Sequence, residues 1–97
     1  MDLGLRGRKA VITGSSKGLG QATAETLASE GVDVHLVARD AKALERITTD
    51  LAKRHGVEAA FSALDLSDSA NVDSLFSELS GPIDILVNNA GAIPGGS

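Results

Sequence analysis

Thr13-Gly14-Ser15-Ser16-Lys17-Gly18-Leu19-Gly20 is the stretch on which the reading of this chain turns. It follows the apolar run Ala10-Val11-Ile12 and leads into a pattern with helical spacing. Strand, Gly-rich turn, helix is the order in which an α/β fold builds a seat for a phosphate. Glycine there admits backbone angles that a Cβ forbids, and it lets an anion approach the main chain closely. The helix that follows directs its unpaired N–H groups and the positive end of its dipole at the same point. The turn is not a Walker-type loop, because Lys17 precedes Gly18 and Gln21 follows Gly20, so no Gly-Lys-Ser/Thr triplet closes it. Nor is it G-x-G-x-x-G: the gaps between its glycines are three residues and then one.

Working outward, the first strand is expected at 9–13, behind a short lead-in that carries Arg6 and Arg8. A helix from about Leu19 to Glu30 places Leu19, Ala22, Thr23, Thr26 and Leu27 on one face, and Gly31 ends it. Val32 to Val37 is short, β-branched and too apolar to have one face in water, as an inner parallel strand should be. His35 within it reads as a packed, hydrogen-bonded strand residue rather than a ligand. A second helix, about Ala41 to His55, has the stripe Leu44, Ile47, Thr48 and Leu51. Lys53, Arg54 and His55 complement its dipole, His55 reading as a solvated terminal residue, and Gly56 stops it.

Val57 to Leu64 is the third strand, leading into Asp65-Leu66-Ser67-Asp68. Ser67 or Asp68 caps a third helix with Val72, Leu75, Phe76 and Leu79 at i, i+3, i+4, i+7. Gly81-Pro82 ends it, and Ile83 to Val87 is a fourth strand before Asn88-Asn89-Ala90-Gly91. Helices between successive strands force parallel pairing by right-handed crossovers. The expected fold is the first half of a doubly wound α/β sheet, β-α-β-α-β-α-β, with strand order 3-2-1-4. Its ligand crevice lies where the order reverses, outside the carboxyl ends of strands one and four. Val11, Ile12, Val34, Leu36, Ile85 and Val87 are the expected core of the sheet.

Composition narrows the function classes. The 97 residues suit one small domain or a piece of a larger one, and 42% hydrophobic content argues for a globular fold. Net charge is −4 without a basic run, which points away from nucleic acid and anionic membrane as partners. There is neither a signal-peptide core nor an apolar run long enough to span a bilayer, so a cytoplasmic location is the expectation. The absence of cysteine excludes disulfides, thiolate metal sites and a Cys nucleophile, and the absence of Tyr excludes phenol chemistry from these residues.

Thr-Gly-x-x-x-Gly-x-Gly after the first strand, paired with Asn-Asn-Ala-Gly after the fourth, resembles the short-chain dehydrogenase/reductase family over essentially the whole chain. The resemblance implies a Rossmann-type sheet, with residues 1–97 the N-terminal part of a single NAD(P)-binding domain. It implies an oxidoreductase that transfers hydride between a nicotinamide dinucleotide and a small carbonyl or alcohol substrate, homo-oligomeric when complete. Gly14, Ser15, Ser16, Lys17, Gly18, Leu19 and Gly20 are then the phosphate-binding turn. Asp65 and the backbone of Leu66 face the adenine, Asn88 touches the adenine-side ribose and ties the sheet, and Ala90 and Gly91 let the cofactor lie against the main chain.

The end of the second strand carries cofactor choice. An NAD site has a carboxylate there for the ribose hydroxyls, whereas a 2′-phosphate needs a cation. The position is Ala38, followed by Arg39, with Lys17 a second positive charge in the turn; the expectation is NADP, with NAD the alternative. Asp40 is the residue that could neutralise Arg39 instead. No catalytic or metal residue is assigned. The family's Tyr, Lys and Ser lie downstream of Asn-Asn-Ala-Gly, so these 97 residues are expected to be inactive alone. A non-catalytic dinucleotide-binding or sensor module is the second reading. The apolar fourth strand, unpaired on one side, is expected to make the isolated segment marginally stable and prone to self-association.

Overall fold

The computed structural model describes residues 6–14, 18–65, 67–79 and 82–88. Seven elements alternate along them: β1 (Lys9–Thr13), α1 (Gly18–Ser29), β2 (Asp33–Ala38), α2 (Ala41–His55), β3 (Ala59–Ala63), α3 (Ser69–Glu78) and β4 (Ile85–Asn88). The strands form one parallel sheet in the order β3-β2-β1-β4. The expected topology and all seven elements are present, with boundaries shifted by a few residues. β3 is shorter than expected because Val57 belongs to the turn after α2, where it is buried beneath the helices.

Strand alternation sends side chains to two faces. Ala10, Ile12, Val34 and Leu36 point to the face covered by α1 and α2, joining Ala24, Ala28, Leu44, Ile47 and Leu51 in one core. Val11 and Val37 point to the other face and meet Leu75 of α3. α2 has the expected stripe, with Leu44, Ile47, Thr48 and Leu51 all buried. It starts at Asp40, whose side chain accepts from the Ala43 N–H at 3.1 Å, and it ends at Gly56. Gly56 has φ +68, a left-handed conformation suited to a residue without Cβ, and its N–H reaches the Ala52 carbonyl.

Three sequence expectations are corrected here. The buried face of α1 is Ala24 and Ala28, while Ala22 and Thr26 are exposed and Thr23 and Leu27 only half-buried. Methyl-sized side chains set this packing, with the half-buried Leu27 packed against the same core. On α3, Val72 and Leu75 are buried, but Phe76 turns outward at 41% exposure. Ile85 and Val87 are half-buried rather than fully buried, because among the described residues β4 is an edge with β1 on one side only. Leu86, on the opposite face, is 51% exposed.

The two histidines take structural partners. His35 Nε2 lies 2.8 Å from the Ser62 hydroxyl on the adjacent strand, and burial lowers its pKa, with Lys9 adding to the effect and Glu78 opposing it. His55 is not simply solvated: its Nε2 lies 2.8 Å from Glu25 of α1, which also pairs with Arg54. These two bonds hold the Glu25 carboxyl below its ordinary range and tie α1 to the end of α2.

Candidate functional site

The carboxyl ends of the four strands lie along one border of the sheet, as the register requires: Thr13 is level with both Val37 and Asn88, and Ala38 with Ala63. Each end is tied to the next by a specific bond. The Gly14 N–H donates to the Val37 carbonyl at 2.7 Å, which joins the turn after β1 to β2. Gly14 has φ +66, so a side chain at this position would strain the departure of the chain from β1 toward α1. The Leu64 N–H donates to the Ala38 carbonyl at 2.8 Å, joining the end of β3 to that of β2.

On the other side, the buried Thr13 hydroxyl donates to Asn88 Oδ1 at 2.8 Å. That bond turns the amide oxygen of Asn88 toward β1 and fixes the side chain at the point where the strand order reverses. The two sequence motifs therefore meet in space: the first residue of the Gly-rich stretch holds the first residue of Asn-Asn-Ala-Gly. Residues 18–20 form the first turn of α1, the element that follows β1, and a helix N-terminus favours an anion. Ser15, Ser16, Lys17, Leu66, Ala90 and Gly91 lie outside the described residues, as does the side chain of Leu19.

The end of β2 carries the positive charge of Arg39. Asp40 does not pair with Arg39; it is the cap of α2. Arg39 is exposed and makes no ion pair among the described residues. With Ala38 at the strand end, no carboxylate stands where an NAD-type site would need one. Across the gap, Asp65 is exposed just after β3. Its hydrogen bonds from Ser67, with the Arg39 charge nearby, keep its carboxyl below the ordinary range, so it is an ionised acceptor at neutral pH.

The described residues thus place Gly14, the first turn of α1, a fixed Asn88, an exposed Arg39 and an ionised Asp65 at the carboxyl ends of the strands, the border at which open parallel sheets bind ligands. The short chain dehydrogenase family model matches residues 8–97. The chain belongs to the short-chain dehydrogenase family. Among solved structures, L-sorbose reductase from Gluconobacter frateurii, complexed with NADPH and L-sorbose, is 44% identical with a TM-score of 0.84 over 95% of this chain and 36% of its own. The Pseudomonas aeruginosa RhlG/NADP active-site complex is 40% identical with a TM-score of 0.78, covering 91% of this chain and 36% of its own. A curated relative, 2,3-dihydro-2,3-dihydroxybenzoate dehydrogenase of Bacillus subtilis, is 40% identical over 93% of this chain and 35% of its own length. The chain thus spans little more than a third of each. No helix among the described residues is long and apolar enough to cross a membrane.

Two elements of the site were missed in the sequence reading, and only one of them had a signal there. The commitment of Asp40 to capping could have been read from its position immediately before the α2 stripe. The clamp of Ser67 on Asp65 could not, since Ser67 and Asp68 are equally good caps on sequence grounds.

Proposed function

We propose that residues 1–97 are the NADP(H)-holding part of an oxidoreductase acting on a small carbonyl or alcohol substrate, within a single NAD(P)-binding domain. The observation that carries this reading is Arg39, exposed and without an ion pair among the described residues, beside Ala38 where a carboxylate would select NAD. A guanidinium presents a planar fork matched to a phosphate, which suits it to the 2′-phosphate. The NADPH and NADP complexes of proteins 40–44% identical to this chain support the same choice.

In this reading Gly14, the turn through Lys17 and the first turn of α1 receive the pyrophosphate. Arg39, with Lys17, holds the 2′-phosphate; Asp65 and Leu66 face the adenine; Asn88, Ala90 and Gly91 bound the ribose and the path toward the nicotinamide. The bound dinucleotide supplies the hydride chemistry. Residues 1–97 contribute binding and orientation, and because they contain no Tyr they cannot furnish a phenol for proton relay. A cytoplasmic protein acting as a homo-oligomer is the corresponding setting.

The test is cofactor affinity in the complete polypeptide. Arg39→Ala weakens NADPH binding by about ten- to a hundredfold, the scale of a charge-assisted hydrogen bond, and leaves NADH nearly unchanged. Ala38→Asp shifts preference toward NADH. A protein that prefers NADH before any substitution overturns the assignment, and one that binds NADPH but reduces no carbonyl compound supports a sensor module instead.

A further inference from the structure

Among the described residues β3 closes one side of the sheet, with β2 its single neighbour. The backbone groups that it offers to β2 belong to its even-numbered residues. The Glu58 N–H donates to Asp33 Oδ1 at 2.9 Å, the Glu58 carbonyl accepts from the Val34 N–H at 2.9 Å, and the Leu64 N–H donates to the Ala38 carbonyl at 2.8 Å. Strand backbone alternates, so the N–H and carbonyl groups of Ala59, Phe61 and Ala63 point away from β2 and take no hydrogen bond among the described residues. Sheet edges are commonly guarded by a charge, a proline or a bulge, and Ala59-Ala60-Phe61-Ser62-Ala63, in unbroken register with β2, has none of these. α2 packs over the same strand, with Ala59 and Phe61 against the core that holds Leu44, Ile47 and Leu51. Arg54 and His55 mark the side of α2 turned to Glu25 of α1. Away from them Glu45, Thr49 and Lys53, each four residues from the next, form an exposed stripe.

We propose that the edge of β3 is an interface at which the complete polypeptide pairs with a second copy of itself, strand against antiparallel strand, about a two-fold axis at Phe61. A partner centred there sets Phe61 opposite Phe61 and Ala59 opposite Ala63. These are hydrogen-bonded pairs, so every outward N–H and carbonyl of the two strands meets its complement. The pairs between them, Ala60 opposite Ser62, are small and leave the approach open. Charge on α2 selects a copy over an unrelated strand. Ala63 is level with the end of β2, beyond which α2 begins, and Ala59 is level with Val34, near where α2 has ended. The middle of α2 is therefore about level with Phe61, and the same axis brings two α2 helices side by side, antiparallel, at Thr49. Glu45 of each copy then faces Lys53 of the other, so one operation satisfies both copies. The inference is independent of which cofactor the crevice holds.

The test is sedimentation of the complete polypeptide, with circular dichroism as the check on folding. The unaltered protein associates, and Ala59→Pro halves the mass of the assembly. The N–H removed points outward, so the sheet keeps its own bonds while the incoming strand loses a donor and meets the ring. Glu45→Lys and Lys53→Glu each weaken association by about tenfold, because each sets like charges face to face at both symmetric positions. The two together restore it to within about threefold of the unaltered protein. A complete protein that stays monomeric, or a folded Ala59→Pro variant that keeps the full mass, overturns the interface. If Ala59→Pro does not fold, the charge reversals decide: loss in the single variants with recovery in the double supports the interface, and no change in the single variants overturns it. If Ala59→Pro halves the mass while the charge reversals have no effect, the edge pairs in another register and the axis at Phe61 is wrong.

Discussion

On one face of the sheet, α1 and α2 together bury Ala10, Ile12, Val34 and Leu36 beneath Ala24, Ala28, Leu44, Ile47 and Leu51. On the other, α3 reaches Val11 and Val37 mainly through Leu75, with Leu64, Leu79 and Ile83 packed partly around them. Phe76 and Leu86 stay open to solvent there, and His35 sits half-buried against Ser62. The same four strands are thus packed to different depths on their two sides. The cohesion of the described residues resides on the face of α1 and α2, while the face of α3 can loosen without dismantling it. The crevice is formed at the border between the two faces and borrows its rigidity from the first: Gly14 and Arg39 both stand at the ends of elements that α1 and α2 cover.

The contrast can be broken by core truncation. Leu36→Ala, on the α1 and α2 face, is expected to cost about 3–4 kcal/mol, and Leu75→Ala, beneath α3, about 2 kcal/mol. Denaturant melts of the two variants measure this directly, and equal losses would show that both faces carry the fold alike. Asp40→Ala removes the cap of α2 and is expected to cost about 1 kcal/mol, with no greater effect on NADPH than on NADH. A selective loss of NADPH affinity would mean that Asp40 also shapes the Arg39 site. The smallest effect is a pH dependence confined to the α3 face. The His35 pKa is lowered in the folded state, so unfolding takes up a proton as pH falls through the ordinary histidine range. Stability is therefore full above that range and declines below it; His35→Asn should flatten this slope in melts from pH 7.5 to pH 5. An unchanged slope would assign the acid sensitivity to groups elsewhere.

Those two faces were not equally legible. α2 announced itself because its large apolar residues recur at helical spacing, and its cap, charged last turn and terminal Gly agree with the stripe. α1 gave its extent but not its orientation: a helix of small residues has no size contrast, and Ala24 and Ala28 bury as completely as leucines do elsewhere. Phe76 was misplaced because it stands four residues from the buried Val72, at helical spacing, while among the described residues α3 covers its face of the sheet through a narrow seam at Leu75. Ile85 and Val87 read as core because their composition is that of an inner strand. The site was legible where backbone conformation restricts residue choice, as at Gly14, and where two motifs had to meet, as at Thr13 and Asn88. It was not legible where short polar residues compete for one task, as Ser67 and Asp68 do.

The bond from Thr13 to Asn88 also has a kinetic meaning. It joins residues 75 apart in sequence, whereas each β-α-β unit before it closes a much shorter loop. Long-range parallel pairing is slow because chain entropy is lost before the contact stabilises anything. β4 is then expected to be the last of these four strands to dock, and the juxtaposition of Thr13 and Asn88 does not exist until it does. A chain with β1, β2 and β3 assembled and β4 still undocked has the Gly turn but not the fixed Asn88. Nucleotide that favours the finished crevice draws such intermediates forward, so cofactor present during synthesis would act on the yield of folded protein before it takes part in any reaction.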